Sequence, residues 1–194
     1  MWDERLNQSE YVYGTEPNEF LVSVAGQIPR GKVLCLAEGE GRNACFLASL
    51  GYQVTAVDQS SVGLAKAQKL AQEKGVKITT IQSNLADFEI IADAWQGIVS
   101  IFCHLPSSLR KQLYPRIYQG LKSGGVFILE GFAPEQLQYT TGGPKDLDLL
   151  PNLMTLREEL SSFAYLTNHT LERHLNEGIY HQGKAALIQV LAKK

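Results

Sequence analysis

Apolar residues gather along this chain in short runs separated by stretches with helical spacing. Runs rich in Val, Ile and Leu near 33–37, 53–57, 76–82, 97–103 and 125–131 read as strands. Between them, Glu19 to Ile28, Ala44 to Leu50, Ser61 to about Lys74, and Ser107 through Tyr118 read as helices. Pro17 suits the first position of the first of these helices, Ser60 caps the third, and Pro106 with Ser107 and Ser108 opens the fourth. Thr155-Leu156-Arg157-Glu158 has capping-box spacing for a short later helix. The alternation predicts an α/β chain, with a parallel sheet covered by helices on both faces.

After that helix the pattern changes to two extended stretches, 164–175 and 184–192, joined by the segment from Asn176 to Gly183. This predicts a hairpin. The segment from Ala133 to Asn152 has no clear period and holds Pro134, Gly142, Gly143, Pro144 and Pro151. It reads as a long loop at the mouth of a cleft.

Composition narrows the classes. At 194 residues the chain fits one domain. Its net charge of −2 and the lack of any lysine and arginine run count against a nucleic-acid partner. No apolar stretch reaches the ~20 residues of a membrane span, and Met1-Trp2-Asp3-Glu4-Arg5 is unlike a signal peptide, so a soluble, cytoplasmic protein is expected. Cys35, Cys45 and Cys103 are far apart and sit in apolar runs, as reduced core residues do, and no metal site is expected.

Candidate chemistry centres on Ala37-Glu38-Gly39-Glu40-Gly41-Arg42-Asn43, between the strand-like Val33 to Leu36 and the helix-like Ala44 to Leu50. Glycines there let backbone pass close to a ligand, and the N–H groups of the helix start face it. The next strand ends in Asp58, where an acid can grip ribose hydroxyls. Two cofactor classes fit, because Gly39-x-Gly41-x-x-Ala44 also satisfies a dinucleotide pattern. A pyrophosphate on this loop would meet the carboxylates of Glu38 and Glu40, which oppose anion binding at a helix N-terminus. S-adenosylmethionine (SAM) has no phosphate and carries a sulfonium cation. Charge therefore favours SAM, with a single-domain NAD(P)-binding reductase or a non-catalytic SAM-binding protein as alternatives.

Four places, together with an N-terminal match from Tyr13 to Leu21, carry a resemblance to a known family. They are Val33 to Asn43, Ala56-Val57-Asp58-Gln59-Ser60, Ser83-Asn84-Leu85, and Leu121 to Leu129. Through them the chain resembles the class I SAM-dependent methyltransferases, in particular small bacterial ones akin to the tellurite-resistance and thiopurine methyltransferase-like groups. Cys35 and Ala37 depart from the aspartate and glycine usual in that family. The resemblance implies a single Rossmann-like, doubly wound domain over 1–194, with a helical cover at 1–30 and the core at 31–194. Its sheet would have seven strands ordered 3-2-1-4-5-7-6, mostly parallel, with the last strand antiparallel. The implied function is methyl transfer from SAM to a small-molecule acceptor; oligomeric state stays open.

Roles follow from the same resemblance. Ala37, Glu38, Gly39 and Gly41 would face the methionine part of the cofactor, and Arg42 its carboxylate. Asp58, beside Gln59, would take the ribose, while Asn84 and the Leu85 N–H would hold the adenine. His104 follows the fourth strand as base or orienting group. Tyr13, in the cover, would touch the sulfonium. Tyr139 belongs to the mouth loop. A sixth strand parallel to the rest would bring the hairpin tip to the ligand edge of the sheet, which makes Glu177, Tyr180 and His181 candidates for its rim.

Overall fold

A computed structural model of the protein describes residues 2–194. Seven strands make one sheet: β1 (Lys32–Leu36), β2 (Gln53–Asp58), β3 (Thr79–Gln82), β4 (Trp95–Ile101), β5 (Leu121–Phe132), β6 (Ala164–Asn176) and β7 (Gln182–Lys193). Their order is β3-β2-β1-β4-β5-β7-β6. The first five pair in parallel, and β7 is antiparallel to both β5 and β6. The expected topology is therefore the observed one.

Among the described residues six helices accompany the sheet: α1 (Trp2–Leu6), α2 (Glu19–Val24), α3 (Arg42–Ser49), α4 (Ser61–Glu73), α5 (Ser107–Gly120) and α6 (Leu153–Glu159). Along β1, Val33 and Cys35 join a core with Leu21, Ala44, Leu47, Val54, Ala56 and Val99. Leu34 and Leu36 join the opposite core with Ile98, Phe127, Leu113, Ile117, Leu156 and Ile188. Side chains alternate across a strand, so apolar residues on both parities mean that both faces are covered. A full Leu or Ile burial contributes about 1.5–3 kcal/mol, and the central strands supply it twice over.

Element ends correct several expectations. Pro17 is not the first helical residue: Asn18 is the cap, and its side chain accepts the Leu21 N–H, so Pro17 stands outside α2. Thr155 is not a cap either, because Asn152 accepts the Thr155 N–H and α6 starts earlier. Ser60 caps α4 as expected, accepting from Gly63. β4 begins and ends two residues before the apolar run does, since Phe102 turns to a φ of +52°. β5 starts directly after α5 because Ser123-Gly124-Gly125 bulges out of the ladder, which shifts register between Trp95 and Gly97. A Cβ on Gly125 would lie 2.9 Å from the Lys122 carbonyl oxygen.

The segment 133–152 is held in place. Pro134–Gln138 and Leu147–Leu149 form short 3-10 turns, and Arg110 of α5 donates to the carbonyls of Leu105 and Asp148 while pairing with Glu159 of α6. The three cysteines are free, and burial pushes the thiol of Cys103 up to about 12 and that of Cys45 to about 11. Among the described residues no helix is long and apolar enough to cross a membrane.

Candidate active site

At the carboxyl ends of β1, β2 and β4 lies a cleft of roughly 290 Å³. Its floor is built by the turn after β1. Ala37 takes a φ of +49° and Gly39 one of +63°, which reverses the chain so that the Gly39 N–H donates to Asp58 Oδ2 at 2.8 Å. The second Asp58 oxygen accepts the Ser60 N–H at 2.8 Å. Burial pushes the Asp58 carboxyl up, and these backbone donors pull it back. A carboxylate oxygen has two lone pairs, so each keeps acceptor capacity toward the cleft.

Glu38 turns the other way. Its Oε1 accepts the Ala44 N–H at 2.7 Å, which places a carboxylate on the N-terminus of α3. Desolvation raises its pKa to about 7, against the pull of that N–H and of Arg42. A Cβ on Gly39 would meet nothing within 4 Å, so this position opens onto the cleft. Gly41 is different: it has a φ of +89°, and its Cβ would sit 2.6 Å from that of Ala67. Gly41 lets α3 approach α4, and it packs behind the turn rather than on the residues that line the cleft.

Ser83, Asn84 and Leu85 line the wall after β3, beside Gln59 and Asp58. Asn84 Oδ1 already accepts the Ala86 N–H and shapes the local turn, which leaves its amide nitrogen for a ligand. On the opposite side stand Tyr13, Phe102, His104, Phe132 and His181. His181 packs 4.4 Å from Phe102 and 4.8 Å from Tyr13, centroid to centroid, and His104 stacks on Phe132 at 5.3 Å. His104 Nε2 accepts the Phe132 N–H at 3.2 Å, and desolvation drives its pKa down to about 4. The Nε2 lone pair is thus engaged by backbone. His181 falls to about 3, through desolvation first and then through nearby cations led by Arg42. Both imidazoles are neutral near pH 7.

A buried polar network fixes this wall. Arg42 Nη2 pairs with Glu177 Oε2 at 2.6 Å, and Arg173 holds both Glu177 at 2.9 Å and Glu130 at 2.8 Å. The Asn18 amide donates to Glu130 at 2.7 Å and to Glu177 at 3.0 Å. Two carboxylates thus balance two guanidinium groups, which offsets the cost of burying either sign alone. Backbone completes the closure: the Ile179 N–H donates to the Val12 carbonyl, and Gly178 fits so closely that a Cβ would lie 2.3 Å from that oxygen.

Of the residues expected at the site, Tyr13, Ala37, Glu38, Gly39, Arg42, Asp58, Gln59, Asn84, Leu85, His104 and His181 line one cleft. Tyr139 is elsewhere, bonding Glu172 through its hydroxyl and standing over Lys184. Tyr180 lies behind Tyr13 and takes a hydrogen bond from Gln8. Sequence reasoning missed Trp2, Arg5, Phe102, Phe132 and Leu149 on the wall. Only the positive φ at the end of β4 marks Phe102, and no local sequence signal encodes it.

Residues 33–125 match the model of a methyltransferase domain family. Over that stretch, just under half of its length, the chain is similar to methyltransferase domains. A methyltransferase of Bacillus subtilis (strain 168), YbaJ, is 27% identical over 128 residues, covering 66% of this chain and 47% of the relative. The methyltransferase fold extends over the rest of the chain. A solved structure concerned with conversion of a disulfide bond into a thioacetal group during echinomycin biosynthesis superposes with a TM-score of 0.79 at 15% identity, over 98% of this chain and 88% of that one. TehB from Haemophilus influenzae gives 0.73 at 20% identity, over 100% of this chain and 65% of that one. The chain spans about half the length of the curated relatives it matches.

Proposed function

We propose that the protein is a class I SAM-dependent methyltransferase, moving a methyl group from SAM to a small-molecule acceptor bound at the aromatic end of the cleft. The observation that carries the reading is the joint position of Gly39 and Asp58: an open glycine on the floor, hydrogen-bonded to a carboxylate that keeps acceptor capacity on the same wall. Asp58 would hold the ribose hydroxyls, Leu85 and Asn84 the adenine, and the turn from Ala37 to Gly39 the methionine part. When bound, SAM supplies a methyl group activated by its sulfonium.

The rest of the work falls to the chain. Tyr13, Phe102 and Phe132 exclude water, which lets positioning and desolvation supply the rate. With both imidazoles neutral and His104 Nε2 engaged, the wall favours a nucleophile that arrives with its lone pair free, such as a thiolate or an amine. Net charge and the absence of a basic run support a free metabolite over nucleic acid, acted on in the cytoplasm. The dinucleotide alternative is disfavoured by Glu38, whose carboxylate already takes an N–H of the helix start that a pyrophosphate would need.

Calorimetry with SAM and with NAD, followed by an acceptor screen with methyl-labelled SAM, tests the reading. Binding of SAM in preference to NAD, with label transfer, is the expected result. NAD binding without SAM binding would replace the proposal by the reductase.

A further inference from the structure

One imidazole of the cleft wall is held dry with a nitrogen unpartnered. His181, just before β7, is 6% exposed and lines the cleft. Rings surround it: Phe102 at 4.4 Å, Tyr13 at 4.8 Å and Phe132 at 5.3 Å, centre to centre, the last edge-on. Its Nδ1 is buried and has no hydrogen-bond partner. The Cδ2 side meets the mouth loop, where a Cβ on Gly142 would come within 3.2 Å of it. With Nδ1 sealed and Cδ2 covered, the edge that carries Nε2 is what this ring offers the cleft.

Sealing one nitrogen fixes the other. A neutral imidazole carries one hydrogen, and a buried lone pair without a partner costs less than a buried N–H without one. The hydrogen therefore sits on Nε2. A second proton is opposed by burial first, then by Arg42 of α3, His104, Arg5 of α1 and Arg173 of β6. Tyr13, packed on the ring, stays protonated as well, since burial raises its hydroxyl. His181 is thus an uncharged donor through the range in which an ordinary histidine titrates. The loop beside it is fixed: the buried Gln136 amide donates to Thr141 Oγ1 at 3.0 Å and to the Gly142 carbonyl at 3.1 Å, and its oxygen accepts the Ala186 N–H at 2.9 Å.

We propose that His181 orients the methyl acceptor, its Nε2–H donating to an uncharged oxygen on a planar acceptor that lies against Phe102 and Phe132. The inference rests on the cleft being a methyltransferase site and names an acceptor class for it. A fixed N–H asks its ligand for a lone pair, and flanking rings favour a flat one. The donor has no charge of its own to offset the desolvation of an ionised ligand group, so the accepting oxygen is a neutral one.

The test uses the intact protein with its four histidine rings labelled with nitrogen-15, beside His181→Phe and His181→Asn. Ring spectra over about pH 5 to 8 should show His181 with its hydrogen on Nε2 and no titration. S-adenosylhomocysteine is added next, followed by acetophenone or by ethylbenzene, which has the shape without the oxygen. Acetophenone is expected to move the Nε2–H resonance downfield and ethylbenzene to leave it. Methyl transfer from labelled SAM is then compared within two pairs, 4-mercaptoacetophenone against 4-ethylthiophenol and 4-aminoacetophenone against 4-ethylaniline. The intact protein should favour the carbonyl member of a pair about three- to tenfold in kcat/KM. His181→Phe should remove that preference, and His181→Asn, which keeps an N–H donor, should restore part of it. A ring that titrates near its ordinary pKa of about 6.5, or carries its hydrogen on Nδ1, overturns the proposal. So does a downfield shift completed by S-adenosylhomocysteine alone, because the donor then serves the cofactor. A resonance that acetophenone leaves in place, or no oxygen-dependent transfer in either pair, overturns it too. Failure of the intact protein to bind S-adenosylhomocysteine at all would instead overturn the methyltransferase reading beneath it.

Discussion

At the scale of single residues, Asp58 and Glu38 divide the acidic chemistry of the cleft. Asp58→Ala is expected to weaken SAM by about 1.5–3 kcal/mol, the range for a hydrogen bond to a charged group, as read by calorimetry on the folded variant. Glu38 carries a pH dependence. Its pKa is raised from 4.5 to about 7, so between those values the folded protein holds a proton that the unfolded chain has released. Stability therefore falls as pH rises through that window, and denaturant titrations should find Glu38→Gln free of this part of the slope. SAM brings positive charge and favours the ionised acid, so its affinity should rise as pH climbs toward about 7, and less so in Glu38→Gln. Asp58 was legible because a strand end and a neighbouring glycine turn are local patterns. Arg42 was legible as a residue but not as a partner of Glu177, because that pairing spans 135 positions and depends on how distant segments meet.

Elements were legible in kind and less so at their ends. The central strands are buried on both faces, so apolar runs marked them, whereas the caps Asn18 and Asn152 were hidden behind more conspicuous residues at Pro17 and Thr155. Two glycines test how the elements meet. Gly41→Ala forces a Cβ against Ala67 at a φ of +89° and should destabilise the protein by about 1–3 kcal/mol in denaturant titrations. Gly178→Ala strikes the Val12 carbonyl, where the N-terminal segment crosses the tip of the β6–β7 hairpin. Faster hydrogen exchange at Gly14 and Ile179, with β1 and β4 amides unchanged, is the expected result. Unchanged exchange at the crossing would mean that the backbone absorbs the methyl group elsewhere.

Across the whole molecule, Glu177 joins two distant pieces of chain to the end of β6. Asn18 from the N-terminal segment and Arg42 from the glycine turn reach it, and Arg173, four residues before it, ties it to Glu130 of β5. Removing it in Glu177→Ala leaves two guanidinium groups under-compensated, at a cost of about 3–5 kcal/mol in thermal or denaturant unfolding. For a chain of this length each kcal/mol moves the melting midpoint by about 2–4 °C. The same convergence sets when the protein becomes competent during synthesis. The glycine turn and Asp58 emerge early, but the partner of Arg42 and the imidazole that closes the aromatic wall are Glu177 and His181. A nascent chain halted before β6 therefore carries the glycine turn and Asp58 without the finished cleft, whose wall waits for the last hairpin to dock.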